Sequence, residues 1–361
     1  VTAAREAEAE QVSTTYHAAL TRLGVATVEE ALSVWHRLPP QHTPGMAAAW
    51  LRLAVRMVMT RRGRARELAM AYYRLARALR TGRTIADPRR PEPQYVTLGQ
   101  LRREFTALAS PAETPASSGE PVPAPPRGGP SDQQDPVADD SAEPDEPSAE
   151  DDEADRILVE QIAELDREQQ RQEREAEREA QLVLDQLGPR LVDRKTRDLD
   201  PDAPARDVDA ARKQAHAQAG ARQAAAAQRL VMNGGRSTVW TNTQHDRRAL
   251  GYIRVSPTGT PCGWCAMLLS RGAVYKSSAT AEYSDGDKYH DHCRCTAEPV
   301  YTATQTASSK YALNREYGEL WPQVTKGLSG KAAVAAWRRF IREQQATAQE
   351  AKATSAREAT P

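Results

Sequence analysis

The chain has only four cysteines and two phenylalanines in 361 residues, and apolar types make up 39% of it. So little bulky side-chain material argues against one large core and for several modest helical units with solvated connections. Long hydrophobic runs are missing as well. The most apolar stretch, GMAAAWLRLAVRMVM at 45–59, is broken by Arg52 and Arg56. A membrane span needs roughly 18–20 apolar residues, so no membrane partner is expected. The opening residues lack a secretory signal pattern, which makes a reducing compartment the expectation. In that setting clustered cysteines more often hold metal than form disulfides.

Net charge is absent too, with 49 basic residues against 49 acidic ones. The balance conceals segregation. Residues 52–90 carry 12 arginines against Glu67 and Asp87 alone, and residues 131–155 carry 12 acids and no base. The arginine run reads first as a solvated helix face, and second as a surface for an anionic partner such as DNA.

Periodicity divides the rest. In residues 1–108, Val28, Ala31, Val34 and Trp35 form an apolar helical stripe, and Trp50, Leu53, Val58, Leu68, Tyr72, Leu75 and Leu79 form another. An Arg-rich turn at Gly63 is expected to divide two helices in this Arg-rich N-terminal domain. Residues 109–155 mix Pro, Ser, Gly and acid, so they read as a disordered acidic, Pro-rich linker that cannot bury enough surface to order itself. Residues 156–240 read as long helices acting as spacers, one stopping at Gly188-Pro189 and the next at Asn233-Gly234-Gly235. Residues 241–305 hold short strand candidates in ALGYIRVSP, AVYKS and CTAEPVY, with Pro299 sending the last to an edge. Residues 306–361 close with a helix bearing Val334, Trp337 and Ile341 on one face, then a polar tail. The expected fold class is mainly α, a multi-helical chain with a small α+β zinc-binding module in its C-terminal third.

All four cysteines fall in that module. Cys262-Gly263-Trp264-Cys265 has the spacing at which a tight turn swings both thiolates toward one ion, and Gly263 is expected to permit the turn. The second half is His290-Asp291-His292-Cys293-Arg294-Cys295. A closed tetrahedral site takes two ligands from each half. Cys262 and Cys265 form the first pair. The second is drawn from His290, Cys293 and Cys295, with His292 the weakest choice. Structural zinc is the expected cofactor, needed because so small a module cannot hold together by apolar burial alone. The competing reading is a disulfide within either pair, although such small loops are strained. Two enzyme signatures are incomplete. Pro261-Cys262-Gly263-Trp264-Cys265 matches half of the zinc nucleobase deaminase pattern, but His245 is followed by Asp246 and Arg247, so no His-x-Glu precedes it. The stretch GLSGKA lacks the first glycine and the Ser/Thr of a phosphate-binding loop, with Thr325 and Ala332 in their places.

CGWCAMLLSRGAVY followed by YHDHCRCTAEPVY resembles the phage Mu F-type minor head protein family, through Cys262, Cys265, Leu268, His290, Cys293 and Cys295. Leu269 and Gly272 fall near that family's small-residue turn, while His292 stands where the family commonly has a small or polar residue. The helical opening around Trp35 and Trp50, and NREYGELWPQVTKGLSGKAAVAAWRR downstream, further resemble minor capsid proteins of tailed phages infecting actinobacteria. The resemblance implies a portal-associated structural protein of the virion head, passing through the host cytoplasm during assembly. It would act in head morphogenesis or DNA delivery, with the portal and other head proteins as partners and no enzymatic role. The alternative from another class is a metal-dependent enzyme, an HNH-like nuclease or a zinc nucleobase deaminase. His290-Asp291-His292 invites the nuclease idea, yet the Asn and further His that it needs do not follow Cys293.

Overall fold

The computed structural model describes residues 2–85, 96–110, 162–200, 202–275, 289 and 293–358. From residue 111 onward, the stretch assigned to an acidic linker lies outside them. Helix α1 (Ala3–Trp35) starts where the Thr2 side chain accepts from the Arg5 N–H, and α2 (Pro44–Thr81) starts under Thr43 with proline in its first turn. Both caps satisfy backbone donors that have no partner inside the helix. Helix α2 stops at Gly82, whose φ of 74° is the left-handed conformation that glycine adopts without strain. Helix α3 (Leu98–Ala109) opens with a reciprocal capping box between Thr97 and Gln100. Helices α4 (Ile162–Leu187) and α5 (Pro189–Thr196) break at Gly188-Pro189, as the sequence indicates.

Helix α6 (Ala205–His245) packs against both α1 and α2. It runs straight through Gly234 and Gly235, which were expected to end it. The reason is proximity. A Cβ on Gly234 would stand 2.8 Å from the carbonyl oxygen of Arg62, and one on Gly235 would stand 3.0 Å from that of Ala65. These glycines let two helix backbones approach; they do not terminate one. Helix α2 is likewise continuous through Gly63, where the sequence suggested a turn. At the other end of α6, the Trp35 indole lies against Gly220, stacks on His216 and donates to the His216 carbonyl at 3.0 Å.

Contrary to the composition argument, one apolar cluster runs through α1 to α6. Alanine makes this possible. Ala54, Ala65, Ala69, Ala76, Ala219 and Ala227 are all buried, and short side chains at helix contacts bring the backbones close enough to fill space without bulk. Trp35, Tyr16, Tyr72 and Tyr73 supply most of the large side chains. Arg52, Arg56 and Arg64 of α2 are exposed, as expected of a solvated face, but four other arginines of this helix depart from expectation. Arg62, Arg74, Arg77 and Arg80 are buried and face Glu173, Glu104, Asp246 and Glu6.

After α6 comes an antiparallel sheet in the order β2-β1-β3, with β1 Gly251–Val255, β2 Ala273–Tyr275 and β3 Thr296–Val300. Pro299 sits opposite Tyr252 on the edge strand β3. Ile253, Val255 and Val300 pack with Tyr311 beneath the sheet. A further core joins α7 (Gly263–Leu269), α8 (Ala312–Val324) and α9 (Gly330–Glu358). At its centre the buried Trp337 meets Tyr317 and Trp321 edge-on, with ring centroids 5.7 and 5.2 Å away. The architecture is thus mainly helical, with a small α+β unit in the C-terminal third. Among the described residues, no helix is long and apolar enough to cross a membrane.

Candidate metal centre

The site is built at the start of α7 and just before β3. Cys262 caps α7, its sulfur accepting from the Cys265 N–H at 3.4 Å. Cys265 follows in the first turn. Cys293 and Cys295 lead directly into β3, two residues apart. The sulfurs of Cys265, Cys293 and Cys295 all lie within 4.8 Å of one another, and those of Cys265 and Cys293 are 3.3 Å apart. That exceeds the roughly 2.05 Å of a disulfide, and none of the four cysteines forms a disulfide. The three clustered thiols are buried, whereas Cys262 is exposed beside them.

Of the five residues expected from sequence to hold metal, the structure thus gathers three. Cys262 lies next to this group, lining the same cleft, and His290 lies outside the described residues, as does His292. Gly263 has a role other than the one expected. Its φ is not positive, and a Cβ there would stand 3.3 Å from the Cα of Arg338. It admits the close approach of α9, which also donates from Gln345 to the Pro261 carbonyl at 2.8 Å.

The electrostatics suit a cation. Hydrogen bonds from the Cys265 and Cys295 thiols hold Cys293 well below the ordinary thiol range, with Arg236 adding to the effect. Hydrogen bonding among the sulfurs pushes Cys265 up. Three neighbouring thiolates cannot coexist in a buried site without a compensating ion. A soft divalent metal supplies that compensation and takes thiolate sulfur readily. The three cysteines could hold such an ion.

Sequence spacing did not reveal the surroundings. Arg236 of α6 donates to the Cys293 carbonyl, and the guanidinium groups of Arg236 and Arg254 lie 4.1 and 4.3 Å from the ring centroid of Tyr289. Two buried cations thus stand close to the sulfur cluster. The one signal for Arg236 was its position directly after the glycine pair that brings α6 against α2.

Residues 168–320 match the family described as VG15 protein. The matched region begins within α4 and ends within α8, so it takes in all of the sheet and the whole cysteine cluster. No curated protein and no solved structure matches the chain. Over those residues the chain is similar to the VG15 protein family, and that similarity points to a phage protein.

Proposed function

We propose that this chain is a minor head protein of a tailed phage, of the Mu F type, built around a structural zinc site. The observation that carries this reading is a coincidence of position. The segment similar to the VG15 family is the one that folds the cysteine cluster and its sheet, and the motif resemblance to Mu F-type proteins falls on the same residues. Cys265, Cys293 and Cys295 would hold the ion, with Cys262 or His290 as the fourth ligand. A site closed by four protein ligands joins α7 to β3 and leaves no position for activating water. The role is therefore architectural and not enzymatic. The helical bundle, with its exposed polar faces, would dock onto the portal and neighbouring head proteins in the virion.

Mass spectrometry of purified virions and head precursors tests this. The chain should be present in few copies, and its absence from both would remove the assignment. Metal-dependent turnover of DNA or nucleobases that disappears in His290→Ala, with the fold intact, would give the site to the enzyme reading.

A further inference from the structure

Helix α9 turns Ala333, Trp337 and Ile341 into the core. Lys331, Arg338 and Arg342 lie along an adjoining side, because positions seven and eleven residues apart stack on one helix face. Arg339 stands beside them, and all four are exposed. With Gly330, Val334, Ala335 and the half-buried Trp264 of α7 they line a groove to which no carboxylate contributes among the described residues. Among the described residues, no acid pairs with any of these four cations. The arginines of α2 behave in the opposite way: Arg62, Arg77 and Arg80 are turned inward onto the chain's own carboxylates. The Arg338 guanidinium lies 5.9 Å from the Trp264 ring centroid. Helix α9 begins at Gly330, so the positive end of its dipole opens at one end of the groove.

We propose that this groove binds single-stranded nucleic acid, with the four cations on successive phosphates and Trp264 stacking on a base. Positive charge along one track and an aromatic ring at its edge are the two elements that a sequence-tolerant strand site needs. A duplex keeps its bases stacked and offers Trp264 no ring face. An acidic peptide would satisfy the cations and leave the indole without a partner. The inference stands independently of the head-protein reading.

The test is fluorescence anisotropy of the full chain with a short labelled oligothymidylate, titrated across salt. Binding should weaken steeply with salt. The double variant R338Q/R342Q should bind at least tenfold more weakly and flatten the slope of log K against log salt by about 1.4, the expectation of about 0.7 per lost phosphate contact. W264L should lose roughly five- to tenfold in affinity with the slope unchanged, as stacking and not charge is removed. Arg338 and Arg342 are exposed, whereas Trp264 packs partly against the α7–α9 core, so the affinity of W264L is read only alongside an unchanged melting temperature and an unchanged metal content. No binding at low salt, or binding indifferent to R338Q/R342Q, overturns the proposal. So does binding that emerges only after residues 131–155 are deleted, which would give the groove to the chain's own acidic segment.

Discussion

The Arg77 guanidinium on α2 donates to the Asp246 carboxylate at the end of α6 through Nε, at 2.7 Å, and neither side chain is more than 1% exposed. The Tyr73 hydroxyl donates to the same oxygen at 2.9 Å. Asp246 stands where α6 gives way to the sheet, so this pair ties the helical bundle to the module that carries the cysteines. Asp246→Ala would strand a buried cation and should cost about 3–5 kcal/mol. Asp246→Asn keeps an acceptor and should cost less. Urea unfolding checks the order, and equal midpoints for D246A and the parent would refute this account of the junction.

A second link is pH-sensitive. His17 of α1 faces Thr296 and Glu298 of β3, with its Nε2 3.3 Å from the Glu298 carboxylate, while the Lys310 ammonium lies 2.8 Å from the same oxygen. Burial, opposed in part by Glu298 and reinforced by Lys310 and Arg236, pushes the imidazole from its ordinary 6.5 down to about 4. Burial alone would raise the Glu298 carboxyl, but Lys310 and His17 outweigh it and hold it at about 2, below the ordinary 4.5. Both groups bind protons more weakly when folded. Their contribution is therefore complete above the unfolded value and is lost as pH falls toward the folded one. Between pH 6.5 and 4.5 His17 acts alone; below that range Glu298 adds to the loss. The His17 share is on the order of 3 kcal/mol. Denaturation midpoints measured at intervals over this range should decline, and His17→Gln should flatten the decline above pH 4.5.

Two glycines in long helices should respond with opposite signs. Gly63 has no atom within 4 Å of where a Cβ would stand, so Gly63→Ala should stabilise by roughly 0.5–1 kcal/mol through helix propensity. Gly234→Ala would drive a methyl to 2.8 Å from the Arg62 carbonyl oxygen. It should destabilise by about 1–3 kcal/mol, because backbone on both sides must shift. Thermal melts of the two variants decide the matter.

This contrast shows where local sequence was informative and where it was not. The strands, the break at Gly188-Pro189 and the apolar face of α9 were legible, because each depends on the residues of its own segment. Gly234 and Gly235 read locally as a helix stop, yet their role is set by α2, more than 150 residues earlier. The solvated-face reading holds for Arg52, Arg56 and Arg64 but misses Arg62 and Arg77, because charge patterns do not show that Glu173 and Asp246 fold back to meet them. At the candidate site, clustering and spacing identified the sulfurs. Arg236 and Arg254 come from α6 and β1 and have no spacing rule to announce them.

The central claim is that Cys265, Cys293 and Cys295 form the heart of a metal centre that closes the C-terminal module. The most direct measurement is the metal content of the full chain purified under reducing conditions, by elemental mass spectrometry alongside a thiol count. The account predicts about one zinc per chain. Cys293→Ser should lose the ion and melt the α7–α9 core, read as loss of near-ultraviolet signal from Trp337 and its neighbours. A folded protein with no bound metal and its four cysteines titrating as free thiols, or paired as disulfides, would contradict it.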